Sequence, residues 1–348
     1  MMKDQSVTIA KGIAIILMVI GHSHCPKMLT HCIYMFHMPL FFFMSGYCFK
    51  TTYLNESKRF LLQRFKGTWL VYIKYGVPFL LLHNVFYSFY FYEEPYILKD
   101  FIIRFIQVVF TMNHCEQLLG GYWFLHSLFW GALIFYAILK LQCVFGGRFQ
   151  CRYRGGLLGG AFLLIITMVM LVFPLQVPVV GFREIMAAFF IWTGMWYKQS
   201  GLEYETKKWF LVVSSLLVIL GSFLWRASMD NCPWPLAAPY MITAVLGTLV
   251  VLGMSKYILN KKIIGGDFLM LIGEHTLDIL TWHFFAFKIV SILLIYMYDL
   301  SFINLASFPV INSMSDVGYW ILYAIIGIVF PLIIAILSNK CQNSIIKL

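Results

Sequence analysis

Apolar runs long enough to cross a lipid bilayer as helices recur along the whole of this chain. A run of about 18 or more apolar residues with few charges is the signature of a transmembrane helix. Of the 348 residues, 61% are hydrophobic and 12% are charged, whereas a soluble globular domain carries about 25% charged residues. So few charges cannot cover a water-exposed surface. The sequence therefore predicts an all-α, polytopic integral membrane protein.

The breaks between the apolar runs predict about ten membrane-spanning helices that pack as one bundle. The predicted spans lie near residues 8–26, 33–52, 69–91, 121–141, 156–174, 182–199, 209–228, 237–257, 272–297 and 317–338. No predicted outer loop is long enough to fold by itself, and only a short tail follows the last span. We therefore expect residues 1–348 to form a single membrane-embedded domain with no appended soluble domain.

The segment "YILKDFIIRFIQVVFTM", residues 96–112, has a different character. Its apolar residues recur at helical spacing, while Lys99, Asp100 and Arg104 lie on the other side. This length and charge pattern favours an amphipathic helix lying in the membrane interface over an eleventh span.

The distribution of Lys and Arg predicts the orientation of the spans. Cytoplasmic loops of membrane proteins are enriched in these residues. With the N-terminus inside, most of the 26 Lys and Arg residues fall in cytoplasmic segments, and both termini are cytoplasmic. The net charge of +11 is thereby explained by topology and by contact with membrane lipids, and it does not indicate nucleic-acid binding.

Ionisable side chains inside the predicted spans need a partner or a purpose, because each costs roughly 2.5–3.5 kcal/mol on insertion scales. In "KGIAIILMVIGHSH", residues 11–24, Lys11 lies near the inner face and His22 about 16 Å higher, at 1.5 Å per helical residue. His37 in the second span and His283 in the ninth reach a similar depth in the outer half. The sequence thus predicts three histidines in one layer and leaves open which of them face one another.

The histidines also have explanations other than catalysis. A single histidine near a helix end is usually an interfacial residue, and we expect that role for His24 and His31. A zinc site is disfavoured because His22 and His24, two residues apart on a helix, point about 200° apart. The spacing also lacks the facing pairs that a bis-histidine haem requires. We predict no metal and no tightly bound cofactor. No role is predicted for three other histidines, His83, His114 and His126.

A basic cluster follows the second span in "NESKRFLLQRFKGTW", residues 55–69. Arg59, Arg64 and Lys66 are explained by topology and by contact with anionic lipid. They are equally suited to the phosphates of a nucleotide-like ligand, because an Arg side chain matches two phosphate oxygens at once. Lys11 would continue such a phosphate-binding track upward into the membrane.

The sequence elements "KGIAIILMVIGHS", "FHMPLFFFMSGY", "GYWFLHSLFW" and "GEHTLDILTWH" together resemble the acyltransferase 3 family of membrane O-acyltransferases, which includes bacterial sugar O-acetylases. The resemblance covers the whole chain. Its sharpest element is a basic residue, ten intervening residues and a histidine, matched by Lys11 and His22, with Lys where many members have Arg. The ninth span is a looser match, since Gly273-Glu274-His275-Thr276-Leu277 stands where members often have Gly-Lys-Asn-Thr-Leu. Many relatives carry a soluble esterase-like domain after the last span.

The resemblance implies transfer of an acetyl or similar acyl group from cytoplasmic acyl-CoA to a hydroxyl of a cell-surface or lipid-linked saccharide, in the bacterial inner membrane. Lys11, Arg59, Arg64 and Lys66 would then hold the phosphates of acetyl-CoA, the donor substrate. His22 would act as general base on the acceptor hydroxyl, or would carry the acyl group transiently.

Further residues take roles under the same resemblance. His37 and His283 would orient His22, the acyl carbonyl or the sugar. Trp123 and Tyr122 would stack on a sugar face, unless they serve as interfacial aromatics. Arg183 would pair with Glu184 or bind an acidic sugar.

A transporter or exporter of a lipid-linked or polar substrate is the rival interpretation of the same composition. Transporters often show internal repeats and helices broken at the midplane. The two halves of this chain show no convincing repeat, and the Lys11–His22 spacing favours the enzyme. A scaffold subunit of a glycan-assembly complex stays open as a third interpretation.

Overall fold

The computed structural model describes residues 4–150, 155–173 and 179–345. Throughout these ranges the chain folds into α-helices with short 3₁₀ and π-helical turns and forms no β-strand, which confirms the all-α prediction. The helices are α1 (Gln5–His22), α2 (Lys27–Tyr34), α3 (His37–Tyr47), α4 (Ser57–Arg64), α5 (Leu70–Leu81), α6 (His83–Ser88), α7 (Leu98–Ile106), α8 (Trp123–Gln150), α9 (Gly155–Val172), α10 (Phe182–Ser200), α11 (Lys208–Leu224), α12 (Ala237–Asn260), α13 (Gly266–Glu274), α14 (Thr276–Tyr298), α15 (Asn312–Met314) and α16 (Trp320–Ile345).

Six helical segments of the described chain are long and apolar enough to cross a membrane. They are Gln5–His22, Lys27–Tyr47, Gln117–Val144, Trp234–Asn260, Thr276–Tyr298 and Asn312–Ser338. Two shorter apolar helices are Leu158–Val172 and Lys208–Leu224. The prediction of about ten spans is not confirmed by these segments.

The remaining predicted spans differ from the six in length or in charge. The predicted span 69–91 is divided between α5 and α6, which end and begin on either side of Leu82. Helix α10 has 19 residues but contains Arg183, Glu184 and Lys198, so its charge sets it apart. A continuous apolar run in the sequence therefore does not guarantee a continuous apolar helix.

The contacts divide the chain into two compact units, each assembled from segments that are distant in the sequence. One unit comprises Met1–Thr30, Tyr72–Trp123 and Ile264–Leu348. The other comprises His31–Val71 and Phe124–Ile263. The first unit thus contains α1, α13, α14 and α16, and the second contains α3, α4 and α9 to α12.

In the first unit, α1 and α13 touch backbone to backbone through a pair of glycines. A Cβ atom at Gly12 would lie 2.2 Å from the carbonyl oxygen of Leu269, and one at Gly273 would lie 1.9 Å from that of Thr8. Residue 12 faces residue 269 and residue 8 faces residue 273, so the two helices cross in antiparallel sense. Small residues at a crossing permit this approach, as is common between membrane helices.

The second unit repeats this device between α3 and α10. A Cβ atom at Gly46 would lie 1.8 Å from the carbonyl oxygen of Ile191, and one at Gly194 would lie 2.0 Å from that of Phe43. This crossing is also antiparallel, because residue numbers rise along one helix as they fall along the other. Each unit therefore contains one helix pair whose separation depends on glycine from both partners.

The segment predicted as an interfacial amphipathic helix forms α7, followed by a π-helical turn at Gln107–Thr111. Asp100 accepts a hydrogen bond from the backbone N–H of Ile97, 3.1 Å away, which closes the first turn. Exposed apolar side chains line the segment: Leu98, Ile102, Ile103, Phe105, Ile106 and Phe110. The placement of α7 in the membrane interface stays a prediction.

Replacing Gly12 by Ala tests the crossing of α1 and α13. We expect Gly12→Ala to lower the thermal stability of the protein in detergent by about 1–3 kcal/mol, because the new methyl group meets a backbone oxygen that cannot move alone. The matched control is Gly160→Ala on α9, where a Cβ atom would meet only Trp192 at an ordinary 3.6 Å. The control should be neutral or slightly stabilising, since Ala costs less conformational entropy than Gly in a helix. Equal melting temperatures for the two variants would contradict the tight crossing.

Candidate functional site

The Lys11 and His22 side chains lie on the same face of α1. The helix is continuous from Gln5 to His22, and Asp4 caps its N-terminus by accepting a hydrogen bond from the Ser6 backbone N–H at 3.1 Å. Eleven residues make about three helical turns, so the two side chains point within about 20° of each other and lie about 16 Å apart along the axis. Both residues are partly exposed, whereas their neighbour Gly12 is buried.

At the end of α1, the His22 ring packs against the aromatic face of α14. Its centroid lies 5.4 Å from that of His283, with the rings nearly perpendicular, and 4.9 Å from that of Phe284. The structure therefore brings together two of the three histidines that the sequence places in one layer. His22 is partly exposed, and His283 is fully buried.

The hydrogen bonds of His283 fix which of its ring nitrogens carries the proton. Its Nδ1 lies 3.0 Å from the carbonyl oxygens of both Ile279 and Leu280, and a carbonyl only accepts. Nδ1 is therefore the N–H donor, which leaves a lone pair on Nε2. That Nε2 atom is buried and has no hydrogen-bond partner in the protein. His283 thus presents an unpaired nitrogen lone pair in the interior of the first unit.

A 3₁₀ segment, Gln117–Tyr122, packs over this part of α14. A Cβ atom at Gly121 would lie 3.8 Å from Cε1 of His283 and 2.7 Å from Cδ1 of Leu280, so a larger residue would require the Leu280 side chain to move. The segment is anchored by the Tyr122 hydroxyl, 2.8 Å from Thr281 Oγ1. Thr281 donates its own proton to the carbonyl of Leu277, so Tyr122 is the donor in this pair.

The position of Tyr122 corrects one expectation. Its ring is completely buried, which leaves no face for a sugar to stack on. The adjacent Trp123, the first residue of α8, is partly exposed and keeps that option.

Arg183, near the start of α10, pairs with a residue from another loop of the second unit. Its Nη1 lies 3.3 Å from Oδ1 of Asp230. Burial raises the pKa of the Asp230 carboxyl, and the Arg183 charge lowers it in turn. The neighbouring carboxylate of Glu184 instead accepts hydrogen bonds from His126 and Ser127. Asp230 is thus a partner of Arg183, and His126 and Ser127 are partners of Glu184.

His37 belongs to the second unit, as the first residue of α3. Its Nδ1 lies 2.9 Å from the carbonyl oxygen of Ile33, and its ring centroid lies 5.1 Å from that of Tyr34. As in His283, the bond to a carbonyl makes Nδ1 the donor. The His37 side chain is almost fully buried.

The basic residues expected to bind the donor differ in exposure and in the contacts that their side chains make. The Arg59 side chain is exposed and pairs at 2.8 Å with Glu56, the residue that precedes α4. Arg64 is half-buried, donates to the Ser45 hydroxyl at 3.0 Å and lies over the Phe60 ring. Burial lowers the pKa of Arg64, although an arginine stays protonated at neutral pH. Lys66 is exposed on a π-helical turn, Phe65–Trp69. All but Lys11 belong to the second unit.

A buried lysine in α14 escaped the sequence interpretation. Lys288 is completely buried, and its ammonium donates to the carbonyl oxygens of Leu305 at 2.6 Å and Ser307 at 2.8 Å. These contacts hold the loop that carries Phe308, whose ring packs 4.7 Å from that of Phe284. Lys288 therefore supports the aromatic neighbour of His22. Its charge within an apolar run was the signal that could have identified it.

Three histidines that received no role also have defined partners. In the first unit, Glu116 lies 2.7 Å from His83 Nδ1 and 3.1 Å from His114 Nε2. In the second unit, His126 lies 3.2 Å from Glu184. Sequence spacing gives no signal for His126 and Glu184, which are far apart in the chain. Within the described ranges no group of three His, Cys, Asp or Glu side chains is arranged to hold a metal ion.

Replacing Lys288 by Met tests its support of the site. The ammonium satisfies two carbonyl groups, and leaving them unpaired costs about 1–3 kcal/mol. We expect Lys288→Met to lower the melting temperature in detergent. The same change at Lys99, exposed in the first unit, should leave it unaltered. A stable Lys288→Met protein would show that the loop is held by its apolar packing alone.

Comparison with known proteins gives one match. A family model described as an acyltransferase domain, that of the acyltransferase 3 family, matches residues 4–338, nearly the whole chain. No curated protein and no solved structure matches.

Proposed function

The chain belongs to the acyltransferase 3 family, and from that premise we propose that it is a membrane O-acyltransferase. It transfers an acetyl or similar acyl group from cytoplasmic acyl-CoA to a hydroxyl of a cell-surface or lipid-linked saccharide. The observation that carries the proposal is the pair of imidazoles at the end of α1. His22 is reachable there, and His283 beside it presents an unsatisfied nitrogen.

The chemistry proposed for His22 is proton transfer from the acceptor hydroxyl. As the imidazole takes the proton, the hydroxyl oxygen bonds to the thioester carbonyl carbon. The tetrahedral intermediate then collapses, the carbon–sulfur bond breaks, and the leaving CoA thiolate takes the proton from the His22 imidazolium. In the variant with an acyl-histidine, His22 attacks the thioester first and the hydroxyl attacks the acyl-imidazole second. His283, in ring contact with His22, serves as a positioning residue in both.

Basic residues hold the donor in this proposal. Lys11 lies three turns below His22 on the same helix face, so a thioester that reaches His22 passes Lys11 on its way from the cytoplasm. Arg59, Arg64 and Lys66 bind CoA phosphates. The half-buried Arg64, already fixed by Ser45, is the best placed of them for a bidentate contact.

The acceptor and the membrane arrangement complete the proposal. Trp123 stacks on a sugar face and Arg183 binds the acceptor, with His37 orienting a reacting group. About ten spans, with α7 in the interface, place both termini in the cytoplasm of a bacterium and the chain in its inner membrane as one domain. The clustering of Lys and Arg in the predicted inner segments supports this orientation.

The test compares wild-type protein with His22→Ala in nanodiscs, using radiolabelled acetyl-CoA and O-deacetylated bacterial envelope glycans. We expect label to move to glycan in wild type and to fall at least about 100-fold in the variant, the usual scale for loss of a general base. Insertion and melting temperature should be unchanged, because His22 is partly exposed.

His24→Ala is the matched control, since His24 lies two residues further on, is exposed, and pairs with Asp316 at 3.3 Å. It should transfer label as wild type does. If folded wild-type protein neither binds nor consumes acetyl-CoA, the proposed acyltransferase activity is wrong and a transporter is favoured. A fully active His22→Ala protein would remove only His22 from the mechanism.

Substitutions at Lys11 test the donor path. Lys11→Ala should raise KM for acetyl-CoA about tenfold and leave KM for the glycan unchanged, because a phosphate contact is lost and the chemistry is not. Lys11→Arg should keep most of the affinity, since the charge is retained. Equal kinetics in the two variants would make the charge at this position a topology signal only.

A further inference from the structure

A second histidine with a buried, unpaired ring nitrogen lies in the second unit, where α8 packs against α10. Glu184, in the first turn of α10, accepts from Ser127 Oγ at 2.6 Å, from the Gly181 backbone N–H at 2.7 Å and from His126 Nδ1 at 3.2 Å. Three donors thus converge on the Glu184 carboxylate oxygens at the N-terminus of the helix, where the helix dipole favours an acceptor. The Glu184 carboxylate is therefore a fixed acceptor, almost fully buried.

This carboxylate fixes the tautomer of His126. Since Glu184 only accepts, His126 Nδ1 is the donor and its Nε2 carries the lone pair. That Nε2 atom is buried and has no hydrogen-bond partner in the protein. An imidazole oriented by a carboxylate, with its second nitrogen left basic, is the arrangement that activates hydroxyl groups in many transferases and hydrolases.

A second unsatisfied group lies one turn further along α8. Trp130 is four residues after His126 and so lies on the same helix face. Its Nε1–H is buried and has no partner. Its ring belongs to an aromatic group in which the Trp69 ring centroid lies 4.9 Å from that of Phe129 and 6.2 Å from that of Trp130. The face therefore presents one unsatisfied acceptor, one unsatisfied donor and aromatic surface.

A close helix crossing next to Trp130 holds these groups in place. A Cβ atom at Gly131 would lie 2.8 Å from the Ala187 side chain and 3.1 Å from the Glu184 carbonyl oxygen. Only glycine at this position lets α8 approach α10 closely enough for His126 to reach Glu184. The pair is thus built into the fold by backbone packing and does not depend on a mobile loop.

We propose that His126, backed by Glu184, binds a hydroxyl of the saccharide acceptor by accepting its hydrogen bond, while Trp130 Nε1–H donates to a neighbouring oxygen. A polyol offers donors and acceptors on adjacent carbons, which is what this helix face requires. A buried donor or acceptor without a partner is unfavourable, so a ligand that pairs with both groups binds more tightly than one that pairs with neither. The proposal rests on the proposed function and names the site that holds the acceptor.

The experiment measures two reactions of His126→Gln beside wild type in nanodiscs. The first is slow hydrolysis of labelled acetyl-CoA without acceptor, and the second is transfer to O-deacetylated envelope glycans. We expect hydrolysis to stay within about twofold of wild type and transfer to fall about 100-fold. The matched control is the same substitution at His31, on α2, which should leave both reactions unchanged.

Glu184→Gln provides a test that a merely structural role would not pass. The amide of Gln can donate to Nδ1, which turns His126 Nε2 into an N–H donor without removing any side chain. Transfer should fall as in His126→Gln while melting temperature stays near that of wild type. Trp130→Phe keeps the ring and loses the N–H, and should raise KM for glycan about tenfold with little change in kcat.

Glycan binding without acetyl-CoA separates the two proposals. Tritium-labelled glycans in equilibrium dialysis should bind wild type and bind His126→Gln at least tenfold more weakly. If wild type consumes no acetyl-CoA but shows this difference, the proposed transfer fails and the binding site stands. If His126→Gln transfers and binds like wild type, or loses acetyl-CoA hydrolysis together with transfer, the acceptor site is overturned. Wild-type protein that binds no glycan also overturns it.

Discussion

The candidate site depends first on how closely two helix backbones approach each other. At the crossing of α1 and α13, glycine from each helix faces a carbonyl oxygen of the other, so no side chain separates the pair. Lys11 is the residue before one of these glycines, and α13 leads through His275 directly into α14. The same contact therefore fixes both the helix that carries Lys11 and His22 and the start of the helix that carries His283. The second unit uses an equivalent pair, Gly46 and Gly194.

A second constraint acts on the histidines themselves. An imidazole buried away from water must use its N–H, since an unpaired buried donor is costly. His283 solves this within its own helical turn, whereas His37, at the start of α3, reaches back to Ile33 of α2; each donates to a carbonyl oxygen four residues earlier. The consequence in both is a neutral ring whose N–H sits on Nδ1, so that any basicity is directed through Nε2. The hydrogen bond to the backbone carbonyl thus decides which ring nitrogen is available for chemistry.

The sequence predicted those features that depend on composition and on spacing along one helix. The helical class follows from the apolar runs, and the shared face of Lys11 and His22 follows from eleven residues of continuous helix. The burial of Tyr122 was not predictable, because it depends on packing against a distant segment that carries Thr281. The pairing of His126 with Glu184 was missed for the same reason: Gly131 brings α8 onto α10, and a sequence does not show which glycine faces which helix.

The partner of each histidine limits the chemistry that it can perform. A carbonyl oxygen holds the ring in orientation but has only a partial charge to offer when the ring is protonated, whereas a carboxylate stabilises the imidazolium that forms. His126, backed by Glu184, is therefore better suited to take up a proton from a hydroxyl than His283, backed by the carbonyls of Ile279 and Leu280. His283 is better suited to accept a hydrogen bond from a neutral neighbour, and His22 is the imidazole in ring contact with it.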